Sequence, residues 1–332
     1  MANNYLNSSM NSCIGPQCRG DHLFTARMRF HQSWYRAEIL NAPYGWGPTK
    51  GSKHKLGNML DAEGADKGFN FLNEEIHKLA LQRLEEHVGT IEQYRLLHNM
   101  LSSQPMCFNL LGMLAGDLDL AGRAFRSILP EEVLSVDRII FEYAPQPKEH
   151  FLNDSTAFDA FVEYKRLNGG RGFIGIETKM TEPFSPKKYS GQMYDRWKSV
   201  AAVSEENWGM AQGVQLNQLW RDHLLTTALR HHHNSLYSAG FFMLVRHPCD
   251  NKCIKAVRNY QKFLKPSDNS FLDWPLDKLT NAIMPLLYGK SQEKWLSDFN
   301  TRYLSLSLSE DLWIQRGNKA LRCPPLGANL PE

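Results

Sequence analysis

Four short apolar runs in the sequence predict the strands of one mixed β-sheet. They cover residues 139–143, 157–164, 172–179 and 239–245. Runs of this length, rich in β-branched and aromatic residues, are typical of buried strands. Between the second and third runs, Asn168-Gly169-Gly170 is a hairpin signal, because these residue types tolerate the positive φ angles of tight turns. We therefore expect the second and third strands to be neighbours.

Apolar residues at three- and four-residue steps predict helices around these strands. Residues 70–100 give the longest such pattern and residues 212–230 a second strong one, as expected for helices with one apolar face. Further helical stretches cover residues 251–264, 272–287 and 290–304. The order of elements is thus helix, strand, strand-turn-strand, helix, strand, which predicts an α/β fold.

Charged residues stand where a buried strand should carry none. Asp159 lies near the start of the second run, and Glu177 and Lys179 end the third. Since side chains alternate along a strand, Glu177 and Lys179 point to the same face, and Asp159 can lie beside them. Two carboxylates and a lysine in one place are costly without a ligand, and a divalent metal ion would relieve that cost. The plainer alternative is a salt bridge at the rim of the sheet.

The spacing of these charges resembles a known signature. Asp159, followed eighteen residues later by Glu177-Thr178-Lys179, resembles the motif of the PD-(D/E)XK nucleases. The order of elements resembles their αβββαβ core over roughly residues 70–265, and the likeness is greatest to bacterial restriction-endonuclease-like proteins. No proline precedes Asp159, which follows Phe158, but the proline in the family's name is often lost.

The resemblance implies a fold, a reaction and a cofactor. The fold would be an αβββαβ core with a mixed central sheet flanked by helices. The reaction would be hydrolysis of phosphodiester bonds in DNA by an endonuclease that requires Mg²⁺, for which Mn²⁺ may substitute, in restriction or defence against foreign DNA. Asp159 and Glu177 would bind the metal with the Thr178 carbonyl, and Lys179 would position and activate water.

Further site residues follow from the same resemblance. The first helix of these nucleases often adds an acid to the metal site, which makes Glu75 a candidate and Glu74 its alternative. Exposed acids are, however, generally favoured in the first turn of a helix. The helix after the Glu-X-Lys motif often carries a polar residue that faces the cleft. Four residues are candidates for contacting the substrate: Gln215, Lys187, Lys188 and Arg221.

Three regions are expected along the chain. Residues 1–66 form a basic and aromatic N-terminal segment, 67–268 the nuclease core and 269–332 a C-terminal helical extension. Aromatic and arginine side chains alternate between His22 and Tyr44, and they could stack on nucleic acid. They could equally pack on the main domain.

Composition bounds the class of protein. The chain has 332 residues, 42% of them hydrophobic and 22% charged, as in ordinary globular proteins. It has no apolar run long enough for a membrane span and no signal-peptide pattern at the N-terminus. A cytoplasmic protein with reduced cysteines is expected.

Cys249 and Cys253 could ligate zinc, although no second pair completes a site. The histidine triplet 231–233 is expected to lie exposed in a loop.

Charge is unevenly distributed along the sequence. The net charge is +3, but residues 1–60 and residues 246–265 each carry a net charge of +5. Either segment suits a phosphate backbone or is an ordinary solvated surface.

The expected partner is DNA, with a possible homodimer or a protein partner on the C-terminal helices. Two alternatives remain: a nucleic-acid-binding module that does not cleave, and a subunit whose partner supplies specificity.

Overall fold

The computed structural model describes residues 13–86, 89, 91–321 and 323. The N-terminal part contains helix α1, a short π-helix, a two-stranded antiparallel sheet and three further helices. Their bounds are Leu23–Trp34 (α1), Tyr35–Ile39 (π-helix), Tyr44–Trp46 (β1), Lys55–Leu60 (β2), Ala62–Asp66 (α2), Glu74–Glu85 (α3) and Gln93–His98 (α4).

The middle of the chain forms two helices followed by three strands. These elements are Ser103–Gly116 (α5), Leu118–Ile128 (α6), Val133–Tyr143 (β3), Phe158–Arg166 (β4) and Arg171–Lys179 (β5). The C-terminal half contains Gln192–Asp195 (α7), Trp208–Ala211 (α8), Asn217–His231 (α9), Tyr237–Arg246 (β6), Asn251–Gln261 (α10), Phe271–Pro275 (β7), Leu276–Ile283 (α11), Lys290–Tyr303 (α12) and Glu310–Gln315 (α13).

Strands β3 to β7 form one mixed sheet in the order β3-β4-β5-β6-β7. The first three strands are antiparallel neighbours, whereas β5, β6 and β7 run parallel. All four predicted strands are therefore confirmed as members of one mixed sheet. The hairpin between β4 and β5 is also confirmed, since Gly169 and Gly170 both adopt positive φ.

Helices cover both faces of the sheet. One face packs against α5, α6, α11 and α12 through a large apolar cluster. The other packs against α9 and α10 through a second cluster that is rich in aromatic rings. The helix predicted over 212–230 is confirmed as α9 from Asn217 onward, but its first five residues, 212–216, form turns instead. Helix α5 lies across strands β3, β4 and β5. No helix in the described part of the chain is long and apolar enough to cross a membrane.

The single helix predicted over residues 70–100 is wrong. The structure has two helices there, α3 and α4, because local capping interrupts the apolar pattern. Asn73 caps the start of α3 by accepting a hydrogen bond from the Ile76 amide. Glu92 then caps α4 by accepting from two backbone amides. Residues 87, 88 and 90 of the predicted helix lie outside the described residues.

The helix predicted over 272–287 is also wrong at its start. Residues 271–275 form β7, the parallel edge strand of the sheet, and α11 begins only at Leu276. Pro275 ends the strand and precedes the first helical residue, a position that suits its fixed φ. Apolar residues of strand and helix fall by chance at helical spacing, which explains the error.

The N-terminal arginines pack inside the protein. Arg27 pairs with Glu310 at 3.0 Å, and Arg36 donates to the carbonyl of Gly57 at 2.7 Å. Both arginines are buried. His31 contacts Ser309 and the carbonyl of Thr301, so α1 is held against residues 301–310. These side chains therefore pack inside the protein and do not form an open surface on which bases could stack.

One pair of cysteines differs from the expectation of reduced thiols. Cys249 and Cys323 form a disulfide. Cys253 is a separate, buried thiol, so it does not share a zinc site with Cys249, whose sulfur is already bonded. In the part of the chain that the structure describes, no three histidine, cysteine, aspartate or glutamate side chains lie close enough to hold a metal ion together.

Candidate active site

The candidate site lies where strands β4 and β5 separate. Their pairing ends at Ala160 and Ile176, while β5 continues beside β6 up to Lys179. Asp159 bridges the gap that opens. Its Oδ2 accepts hydrogen bonds from the backbone amide of Thr178 at 2.8 Å and from the Thr178 hydroxyl at 2.6 Å. The sheet itself therefore places the carboxylate of β4 against the end of β5.

Glu177, Lys179 and Gln218 form a closed triangle beside that aspartate. Lys179 Nζ lies 2.9 Å from Glu177 Oε1. The Gln218 amide donates to the same Glu177 oxygen at 2.7 Å and accepts from Lys179 Nζ at 3.2 Å. Glu177 and Lys179 are 5% and 6% exposed, so this network is mostly removed from water. Gln218 stands on the first turn of α9, which thus holds the charged end of β5.

The loop after β5 is tied to the same network. Gln218 Oε1 also accepts from the Ser185 amide at 2.8 Å. Glu182 accepts from the amide of Ser103, the first residue of α5, at 2.6 Å, and from the amide of Thr181 at 3.1 Å. The beginning of α5, the end of β5 and the beginning of α9 are therefore joined around one cleft.

Electrostatics in the cleft are dominated by burial and by close acids. Burial raises the pKa of Asp159 well above its usual range, and the charges of Glu177 and Glu142 raise it further. Burial alone would lower the pKa of Lys179, but the ion pair with Glu177 and the charge of Asp159 outweigh it, so that pKa is raised. Lys179 is consequently a cation at neutral pH, and the carboxylates beside it favour a further positive charge.

Glu142 on β3 is an acid of this region that sequence reasoning missed. It is 6% exposed and accepts a hydrogen bond from Gln104 Nε2 at 3.0 Å. Its φ of +50° is unusual for a residue other than glycine. The available signal was a charged residue at the end of an apolar run, which is the pattern that singled out Glu177 and Lys179.

Asp222 is a second buried acid that faces the site. It lies one helical turn beyond Gln218 on α9 and is 3% exposed. Its Oδ2 has no hydrogen-bond partner. Burial raises the pKa of Asp222 well above its usual range, and the charge of Glu177 raises it further. The cleft therefore carries more acid than the family motif alone would supply.

Comparison with known protein families shows to which family the chain belongs. The family model of the PD-(D/E)XK nuclease superfamily matches residues 19–305, most of the chain. The chain belongs to the PD-(D/E)XK nuclease superfamily. The five-stranded mixed sheet flanked by helices is consistent with that fold, and membership suggests nuclease activity. Searches of curated proteins and of solved structures return no significant match.

Superfamily members typically use divalent metal ions, and the donors here fit one. Asp159 and Glu177 supply carboxylate oxygens of the kind that Mg²⁺ prefers, and Mg²⁺ commonly takes its remaining ligands from water and substrate phosphate. Burial raises the pKa of Asp159, and the charge of Glu177 raises it further, so a cation bound beside them would favour the charged form of Asp159. Since no three such side chains converge among the described residues, these two acids would be the protein's main contribution.

Several predicted site residues lie away from this network. Glu74 and Glu75 are exposed on the first turn of α3, and Glu74 pairs with Lys78. Gln215 is exposed in the turn before α9, so that Gln218 and not Gln215 contacts the motif.

The basic candidates differ in their accessibility. Lys187 and Lys188 are exposed on the loop that follows β5. Arg221 is buried, and its guanidinium contacts Asp154 and Thr156. The structure thus brings together Asp159, Glu177, Thr178 and Lys179, leaves the two loop lysines exposed, and pairs Arg221 internally.

Proposed function

We propose that this protein is a Mg²⁺-dependent nuclease that hydrolyses phosphodiester bonds in DNA. The observation that carries the proposal is the meeting of Asp159 with Glu177 and Lys179 at the point where β4 and β5 separate. A chance Glu-X-Lys on a helix or an exposed strand would not place a buried lysine in an ion pair with a buried glutamate. The superfamily match over most of the chain supports the same reading.

Each residue has a distinct proposed role. Asp159 and Glu177 hold the ion, with the Thr178 carbonyl as a further ligand. Bound by these residues, Mg²⁺ would supply positive charge to polarise the scissile phosphate and to lower the pKa of the attacking water. Lys179 offsets negative charge that develops on the phosphate, and its raised pKa favours this role over that of a proton acceptor. Gln218 orients both members of the Glu177–Lys179 pair.

The wider role is proposed as restriction of, or defence against, foreign DNA. This rests on the resemblance to restriction-endonuclease-like proteins. In the same proposal Lys187 and Lys188 contact substrate phosphate from the exposed loop after β5. The C-terminal helices are the proposed surface for a second copy of the chain or for a protein partner.

Metal dependence provides the first test. Plasmid and linear DNA are incubated with the protein in Mg²⁺, Mn²⁺, Ca²⁺ or EDTA. We expect cleavage in Mg²⁺ and Mn²⁺, none in EDTA, and binding without turnover in Ca²⁺, whose larger and looser coordination shell positions water poorly. Full cleavage in EDTA would reject the metal-dependent mechanism.

A matched pair of variants then locates the metal. Asp159→Asn should abolish cleavage and weaken Mg²⁺ binding in calorimetry, whereas Asp311→Asn, which changes an exposed acid on α13, should leave both unchanged. If the wild-type protein binds DNA tightly but cleaves neither DNA nor RNA with any of these ions, a non-cleaving binding module replaces the proposal.

A further inference from the structure

Helix α10 and the four residues after it concentrate the positive charge of the chain. Residues 251–265 contain no acid and five basic residues, Lys252, Lys255, Arg258, Lys262 and Lys265. The whole chain carries a net charge of only +3. The remaining residues therefore sum to −2, so fifteen residues without an acid carry as much net charge as the whole of residues 1–60.

Three of these lysines lie on the outer face of α10. Lys252, Lys255 and Lys262 are exposed, whereas the opposite face buries Cys253, Ile254, Val257 and Tyr260. The first and last of the three lysines are ten residues apart, which corresponds to about 15 Å along a helix. This stripe is long enough for each of the three lysines to contact a separate phosphate of a DNA duplex.

The lysines of the stripe differ from those on other helices. Lys67, Lys78 and Lys294 each pair with an acid four residues away on their own helix. By contrast, among the residues that the structure describes, Lys252, Lys255 and Lys262 make no ion pair, and α10 has no acid that could supply one. Their charge is thus available to a partner from outside the chain.

The stripe begins beside the active site. Arg246, the last residue of β6, stands opposite Lys179 in the sheet, and α10 starts five residues later. Arg246 is itself neutralised by two hydrogen bonds to Asp273, at 2.7 and 2.9 Å. The first unpaired cations outward from the cleft along this helix are therefore the α10 lysines.

We infer that the outer face of α10 binds the backbone phosphates of duplex DNA and leads the substrate into the cleft. The inference rests on the proposed nuclease function and adds where the duplex lies. Such contacts give affinity without sequence preference, because they read phosphates and not bases.

The test compares two triple variants that remove the same charge. Lys252, Lys255 and Lys262 are changed to Gln in one variant. Lys148, Lys290 and Lys319, which are exposed in the β3–β4 connection, at the start of α12 and after α13, are changed to Gln in the other. Binding of a short labelled DNA duplex is measured in Ca²⁺ across a range of salt, and cleavage is measured in Mg²⁺. Since all six side chains are exposed, both variants should fold.

We expect the α10 variant to bind roughly 10²-fold more weakly at about 0.1 M salt, with a salt-dependence slope reduced by about 2.7, because each phosphate contact contributes about 0.9. Its cleavage should show a raised KM with an unchanged kcat. The control variant should resemble the wild type.

Two results would overturn the inference while leaving the nuclease function intact. In one, the two variants bind and cleave DNA alike while the wild type cleaves it. In the other, the α10 variant loses kcat and keeps KM. A wild type that binds a matched RNA duplex but not DNA, or neither, overturns the DNA substrate and the α10 inference together.

Discussion

Lys179 is the residue on which the chemistry of the cleft depends most directly. It is buried and lies between an acid and an amide, and its ammonium also lies 5.2 Å from the ring of Phe184. These neighbours hold one ammonium in a fixed place and keep it charged. A pre-oriented cation of this kind stabilises a transition state without having to reorganise.

The first prediction concerns this cation. Lys179→Ala should lower the cleavage rate by about 10²- to 10⁴-fold, as is typical when a positioned catalytic group is lost. DNA affinity and calorimetric Mg²⁺ binding should change little, because both acids remain. Lys165→Ala, at an exposed lysine of β4, serves as the control. Wild-type cleavage by Lys179→Ala would mean that the lysine is only a charge at the end of a strand.

The second prediction separates two glutamines three residues apart. Gln218→Ala removes both hydrogen bonds to the Glu177–Lys179 pair and should reduce kcat by roughly tenfold or more, since buried charged groups lose their partner. Gln215→Ala removes an exposed side chain and should have no effect on kcat. Steady-state cleavage measures both, and the reverse pattern would refute the structural assignment of Gln218.

Residue identities at the site were partly predictable. Asp159, Glu177 and Lys179 stand out because a charged side chain in a buried apolar strand is costly unless it has a partner or a ligand. Gln218 was missed because its choice over Gln215 depends on where α9 begins, and helical spacing alone does not fix that boundary. Glu142 could have been noticed as a charged residue at the end of an apolar run, but its unusual φ leaves no signal in the sequence.

At the scale of elements, close contact between β4 and β5 depends on glycine. A Cβ added at Gly175 of β5 would lie 2.5 Å from the ring of Phe158 on β4. That ring packs in the aromatic cluster below α9. The missing side chain therefore allows a large ring to fill the sheet surface one residue before Asp159.

The third prediction tests this contact. Gly175→Ala should lower the free energy of unfolding by roughly 1–3 kcal/mol, the usual cost of overpacking a core. It should also reduce cleavage, because a displaced Phe158 moves its neighbour Asp159. Gly209→Ala on α8, where an added Cβ meets nothing, is the matched control and should keep both properties. Denaturant unfolding and cleavage rates measure the effects, and unchanged stability of Gly175→Ala would refute the argument.

Elements were predictable where the apolar pattern had one interpretation. Four strands came from continuous apolar runs, which only buried strands or helices can carry. The break between α3 and α4 depends on the side chains of Asn73 and Glu92 that cap their starts. Strand β7 depends on parallel pairing with β6, a long-range contact that no local pattern of five residues encodes.

At the scale of the whole molecule, buried titratable groups make stability depend on pH in two directions. Burial lowers the pKa of His31 to about 3 and of His223 and His247 to about 4. Their contribution to stability is therefore lost as pH falls below the unfolded value of about 6.5. The raised pKa values of Asp159 and Asp222 act oppositely, since stability is lost as pH rises and these acids must ionise.

The fourth prediction follows from these signs. In EDTA, the free energy of unfolding should fall as pH drops below about 6.5, by up to about 1.4 kcal/mol per pH unit for each buried histidine, and should also fall as pH rises through the raised pKa values of the two acids. His223→Gln should flatten the acid limb and Asp222→Asn the alkaline limb. His54→Gln and Asp311→Asn, at exposed positions, should leave both limbs unchanged. Thermal unfolding at pH 5, 6.5 and 8 measures this, and a midpoint that rises steadily with pH would contradict it.

The ion pair between Arg27 of α1 and Glu310 of α13 limits how early α1 can pack while the chain is being synthesised. The two residues are 283 positions apart, and a ribosome adding about 5–20 residues per second needs roughly 15–60 s to cover that distance. During this time α1 has been made, but the partners of its buried Arg27 and His31 do not yet exist. Helix α1 is thus synthesised early and can dock only after residues 301–310 have been made.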